Sequence, residues 1–314
     1  MEVEAIRQEH ASLVERFGPW TAHNIRLADG VYTLSEEPAG DEVKLRRVTQ
    51  IVSDLCGPDL AGVRVLDLAC LEGMYALELA RRGAEVVAIE GREANLEKAR
   101  FAARALRVQV DFQQGDVRDL SRERHGEFDV VLCLGILYHL DVEDVFPFVS
   151  RMAEVCRKAL VVDTAIALSG KEERTYEGQV YKGQTLFEHD PSSSKEERLK
   201  ALWSSLDNTS AFALSAPSLQ TLLARAGFTS VYQAWVPAEP AKTPDRVTLV
   251  ALKGTEQTSF VTPSPSTPST DVPERPPLGA WLPRSRAWSV ARRLAPRSLR
   301  ARARRLLGAE TRHH

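Results

Sequence analysis

The chain has 314 residues, 43% hydrophobic and 27% charged, with a formal net charge of −2. That composition excludes a wholly disordered chain, and no apolar run approaches the roughly 18 residues of a membrane span. The charge is unevenly placed. Residues 276–314 hold ten Arg and one acid, Glu310, against 31 basic and 42 acidic residues in the rest. An acidic body therefore carries a basic tail. The N-terminus, MEVEAIRQEH, lacks the apolar core of a secretory signal. Cys56, Cys70, Cys133 and Cys156 are widely spaced, with neither metal-ligand spacing nor a disulfide framework. This fits a reducing cytoplasm.

Helical spacing covers residues 2–17, with Val3, Ile6, Leu13, Val14 and Phe17 on one side, and ends at Gly18-Pro19. Residues 20–40 read as irregular, with turn signals at Asp29-Gly30 and Pro38-Ala39-Gly40. A second helix is expected over 41–55. From residue 63 short apolar runs alternate with helical segments. The runs are 63–69, 85–90, 108–113, 128–134 and 159–163; the helices are about 73–82, 92–106 and 143–157. Continuous apolar strands separated by helices predict a parallel sheet covered on both faces. Residues 117–126 form a weaker connection, and residues 164–210 read as polar and irregular. A helix at 217–226 and two strands, 228–236 and 246–252, follow. The Pro, Ser and Thr-rich stretch 254–283 predicts a disordered linker. Residues 284–314 predict a basic helical tail, with nine Arg between 284 and 305.

The segment VLDLACLEG at 65–73 is an apolar strand ending in an acid, a tight turn, and Gly73 opening a helix. A parallel sheet meets its ligands at the carboxyl ends of its strands. The second strand ends at Glu90-Gly91, where a carboxylate can accept ribose hydroxyls. The third leads to Asp116-Val117, where an acid can accept from an exocyclic amine beside an apolar residue. Nicotinamide-binding sheets use a similar loop and acid, so the first motif alone leaves that class open.

This set, together with FDVVLCLGILYHL and the terminal strand pair, resembles the class I S-adenosylmethionine-dependent methyltransferases over about residues 41–253. The resemblance implies a Rossmann-like α/β fold: a seven-stranded sheet, mostly parallel with the last strand antiparallel, and helices on both faces. It implies a helical cover and lid at 1–60, the methyltransferase domain at 61–253 and a substrate-side insert at 164–210. It implies S-adenosylmethionine as cofactor. Asp67, Ala69, Cys70, Leu71 and Gly73 would hold the methionine part, Glu90 and Gly91 the ribose, and Asp116 and Val117 the adenine. Cys133, Leu134 and Gly135 would lie beside the sulfonium. Ala69 and Leu71 depart from the glycines that the family places there.

A narrower resemblance, through LYHL at 137–140 and residues 202–231, is shared by tRNA wobble-uridine carboxymethyltransferases and by small-molecule and sugar methyltransferases. Lys44 is the one basic residue offered for a carboxylated cofactor. RNA binding requires phosphate neutralisation, which only the basic tail could supply. The expectation is therefore O-methylation of a small molecule or glycan acceptor in secondary metabolism. RNA modification is the first alternative and a non-catalytic cofactor-binding scaffold the second. His139 is a candidate base, with His23 as a second; both can equally be packing residues. Tyr138, Tyr176 and Asn208 are candidate substrate contacts, in an insert that also offers Tyr181, His189, Trp203 and Asp207. No clustered metal-ligand pattern is present. The tail can contact an anionic membrane surface, nucleic acid or a partner protein, or remain solvated. The expected location is cytoplasmic, with a peripheral membrane position as a variant.

Overall fold

The computed structural model describes residues 1–34, 42–235 and 243–254. In chain order the elements are α1 (Val3–Phe17), β1 (Arg26–Ala28), β2 (Val31–Tyr32), α2 (Glu42–Cys56), β3 (Arg64–Leu68), α3 (Met74–Arg81), β4 (Glu85–Glu90), α4 (Glu93–Leu106) and β5 (Asp111–Gln114). After these come α5 (Arg122–His125), β6 (Phe128–Leu134), α6 (Val142–Val155), β7 (Cys156–Ala165), β8 (Glu172–Tyr176), β9 (Gln179–Phe187) and α7 (Lys195–Lys200). Finally come β10 (Ser210–Leu214), α8 (Ala216–Arg225), β11 (Ser230–Gln233) and β12 (Arg246–Leu252). Short 3₁₀ turns occupy Val117–Asp119 and Leu137–His139. The expected basic tail, and the linker beyond Gly254, lie outside the described residues.

Seven strands form the main sheet in the order β11-β12-β7-β6-β3-β4-β5. β3 to β7 run parallel, and β12 is antiparallel to both of its neighbours, β7 and β11. The fold class expected from the sequence is the one observed. β3 sits centrally, with Val65, Leu66 and Leu68 fully buried; beyond Arg64 at its start, Asp67 is the one charge in that strand and is 1% exposed. A strand buried on both faces has no polar side to alternate with, which is why it reads as a continuous apolar run. Helix α6 lays Val145, Phe148, Val149 and Met152 on this core.

Two segments read as irregular are strands. Within residues 20–40, β1 and β2 form a small hairpin around Asp29-Gly30. Within the insert, β8, β9 and β10 make a second antiparallel sheet. Its β8–β9 turn is Glu177-Gly178, both left-handed at φ 47° and 74°. Two-residue hairpins of this kind normally place Asn or Asp first, so Glu hides the turn. β8 is also polar along its length, with only one face packed. Gly183 in β9 allows β10 to approach: a Cβ there would lie 2.5 Å from the Ala213 carbonyl oxygen.

Candidate functional site

The chain turns sharply after β3. Ala69, Leu71 and Gly73 all take left-handed φ, at 53°, 52° and 80°. For Ala and Leu this costs about 1–2 kcal/mol each, which the surrounding packing must offset. The turn is closed by Cys70 N–H donating to the Ile89 carbonyl at 3.0 Å and Gly73 N–H donating to the Cys70 carbonyl at 2.9 Å. Gly73 then starts α3, where a Cβ would press within 3.1 Å of Ala99 and Phe112. Its place in the motif is therefore a packing requirement.

A cavity of about 270 Å³ opens at the carboxyl ends of β3, β4 and β6. Asp67, Ala69, Cys70, Leu71, Glu90, Gly91, Val117, Leu134, Gly135, Tyr138, His139 and His23 all line it. Among the expected site residues, Gly73, Asp116, Cys133, Tyr176 and Asn208 do not. Cys133 is fully buried inside β6. Tyr176 stacks on Phe146 in the core, with ring centroids 5.1 Å apart. Asp116 is gripped by Arg118, whose Nε and Nη2 donate to its carboxylate at 3.0 and 2.6 Å. This holds the Asp116 carboxyl below its ordinary range. Arg118 also reaches Asp207 at 2.8 Å, tying the insert to this edge of the sheet.

The cavity floor is two buried carboxylates. Glu90 accepts from Leu71 N–H at 3.0 Å, Arg92 N–H at 2.9 Å and the Asn95 amide at 3.3 Å. A carboxylate has about four lone-pair positions, so one is left on Oε2 for a hydroxyl donor. Asp67 Oδ2 is buried with no partner among the described residues. Burial is the main cause that pushes its carboxyl up to about 7; Glu90 adds to this, and the Ala76 amide opposes it. A cation placed against Asp67 would restore the ionised form. The floor therefore fits a ligand with a hydroxylated ring and a positively charged group.

The N-terminal segment is fixed as a wall. Glu72, fully buried, accepts from the backbone amides of Thr21, Ala22 and His23, the last at 3.1 Å. Lys98, also buried, lies 3.7 Å from Glu72 and donates to the Pro19 carbonyl. His23 Nδ1 accepts from Met74 N–H at 3.2 Å, and burial lowers its pKa to about 3. The ring is thus neutral with its proton on Nε2. His23 then has no nitrogen lone pair left to take a proton, which does not suit it to the base role expected of it.

His139 stands differently. Its Nδ1 lies 2.8 Å from Glu188 Oε1, and its backbone carbonyl accepts from the Asn208 amide at 3.0 Å. Asn208 therefore holds the chain that carries His139. Nε2 of His139 has no partner among the described residues, and the ring lines the cavity. Beside it, Arg246 packs over the Tyr138 ring at 4.8 Å and donates to Asp163 at 3.0 Å.

The insert covers the ribose side. Arg92 donates to the carbonyls of Leu199, Ala201, Ser204 and Ser205 at 2.9–3.2 Å. Leu206 lies directly over Gly91, where a Cβ would come within 2.4 Å of it. Sequence reasoning missed Glu72, Arg92 and Glu188. An acid inside the first turn was a visible signal for Glu72; Arg92 and Glu188 left none, because their partners are distant in the chain. Among the described residues no group of three His, Cys, Asp or Glu is arranged for a metal, and no helix is long and apolar enough to cross a membrane.

Residues 65–159 match a family model described as a methyltransferase domain. A ubiquinone biosynthesis O-methyltransferase from Xanthomonas oryzae pv. oryzae is 42% identical over 82 residues, 26% of this chain and 34% of that protein. A protein of the same name from Alkalilimnicola ehrlichii is 33% identical over 121 residues, 38% of this chain and 49% of that protein. The chain thus spans about a third to a half of the length of these curated relatives. The crystal structure of the N-terminal domain of EvdMO1 in the presence of SAH and D-fucose superposes with a TM-score of 0.60 at 23% identity, over 82% of this chain and 98% of that one. That likeness is one of fold. The family match falls on the sheet's central strands, and the sheet order is that of the Rossmann-like methyltransferase fold expected from the sequence.

Proposed function

We propose that this protein transfers a methyl group from S-adenosylmethionine to a hydroxyl oxygen of a small, sugar-like acceptor. The observation that carries the reading is one cavity with two chemistries. Two strand-end carboxylates, Asp67 and Glu90, form its floor, and His139 faces it from the end of β6. When bound, S-adenosylmethionine supplies an electrophilic methyl carbon on a sulfonium. Glu90 would hold a ribose hydroxyl, and Asp67 would face the positive charge. Gly115 and Val117 would flank the base. His139 Nε2 would take the proton as the acceptor oxygen forms its bond to carbon and the carbon–sulfur bond breaks. Trp203, on the cavity rim and 69% exposed, offers an aromatic face to the apolar side of a sugar ring. The names of the relatives, O-methyltransferases, and the D-fucose present with the EvdMO1 domain in its crystal support an oxygen acceptor of this kind.

The test is calorimetric titration with S-adenosylmethionine and S-adenosylhomocysteine, followed by labelled-methyl transfer to D-fucose, other sugars and a phenol. Binding of both nucleosides and transfer to a sugar hydroxyl is the expected result. Folded protein that binds neither sinks the reading, and transfer confined to the phenol replaces the acceptor class.

A further inference from the structure

We infer that Glu188 is a positioning residue that sets the proton on His139, leaving Nε2 as the acceptor for the substrate's proton. This rests on the methyl-transfer reading above. Glu188 follows β9, and His139 ends the turn after β6, so the two meet only because the insert folds back on the main sheet. Their side chains are 6% and 15% exposed. Glu188 Oε1 takes His139 Nδ1 at 2.8 Å, and Oε2 accepts from Ser205 N–H at 2.8 Å. Its own N–H donates to the Thr209 carbonyl at 3.0 Å. Each carboxylate oxygen therefore has one fixed donor, and neither the acid nor the ring is free to turn.

A carboxylate accepts and does not donate, so Nδ1 of the neutral ring must carry the hydrogen. Nε2 then has a free lone pair, and it has no partner among the described residues, on a ring that lines the cavity. As the acceptor loses its proton to Nε2, the ring becomes an imidazolium with the carboxylate already at 2.8 Å. The charge is thus met without rearrangement. Asn208 supports the same placement from the backbone side.

The substitution Glu188→Gln separates this role from a structural one. Ser205 N–H still needs an acceptor, so the amide oxygen would face Ser205 and the amide NH₂ would face His139. Nδ1 would then have to accept, and the ring's proton would move to Nε2. The experiment is ¹⁵N NMR of histidine-labelled protein with S-adenosylhomocysteine bound, the His139 ring being assigned by loss of its signals in His139→Gln. In the wild type the expected state is protonated Nδ1 and unprotonated Nε2, and in Glu188→Gln the reverse. With an acceptor that turns over, kcat should fall about 10²- to 10⁴-fold, the usual worth of a positioned base. KM and the affinity for S-adenosylhomocysteine should stay within about twofold. A wild-type ring protonated on Nε2 overturns the proposal, whatever the variant does. So does a variant with an unchanged tautomer, or a reversed tautomer with kcat intact. Absence of S-adenosylhomocysteine binding by the wild type would count against the methyl-transfer reading, separately from the ring's proton.

Discussion

The two walls of the cavity are built on different principles. The cofactor wall stands on the ends of adjacent parallel strands, with Asp67 on β3 and Glu90 on β4, and its contacts are local. The wall that carries His139 depends on an insert whose key residues, Glu188, Ser205 and Asn208, lie about 49 to 69 positions away from it. The first wall comes with the fold. The second is fitted to it, and acceptor choice is expected to reside there.

Substitutions can break this contrast in a defined order. Glu90→Ala should have the largest effect on binding. It removes a ribose acceptor and strands the amides of Leu71 and Arg92, so the affinity for S-adenosylhomocysteine should drop about 100-fold by calorimetry. An unchanged affinity would move the nucleoside elsewhere. Arg92→Ala should weaken binding less, about tenfold, mainly through faster dissociation in stopped flow. The backbone amides that hold Glu90 stay in place, while the cover is released and Glu90 loses the neighbouring guanidinium charge. A loss equal to that of Glu90→Ala would mean that cover and floor are a single unit.

The smallest effect is one of pH. In the unliganded protein the Asp67 carboxyl is pushed up from 3.8 to about 7, chiefly by burial. The folded state therefore keeps a proton that the unfolded chain gives up. The stability of the unliganded protein should fall as pH rises from about 4 to 7 and level off above that. A cationic ligand favours the ionised form, so its binding should tighten several-fold between about pH 6 and 8. Asp67→Asn should flatten that slope. A slope that persists in Asp67→Asn would assign the titration to Glu90, whose carboxyl burial also raises.

The same contrast explains what was legible in the sequence. The strands of the cofactor wall are buried on both faces, so their apolar runs and terminal acids stand out in the string. Asp116 shows the limit of that reading. Its position follows from the motif, but the side chain of Arg118, two residues on, takes its carboxylate away from the cavity. On the insert the signals are weak for physical reasons. β8 and β9 are polar because one face is in water, and their turn places Glu where Asn or Asp is usual. Residues 190–207 bond largely among themselves, but Glu188 and Asn208 pair with His139, far along the chain, and no periodicity records such pairings. His139 was legible as a ring near the fourth parallel strand, whereas its partner was not.

The cover over the ribose side has one more consequence. Arg92 closes it by holding four backbone carbonyls. Carbonyls do not titrate, and a guanidinium keeps its proton at any physiological pH. The floor beneath does titrate, through Asp67. Ambient acidity can thus set how tightly the nucleoside is gripped while leaving the shutter above it untouched, so that capture and confinement answer to separate controls.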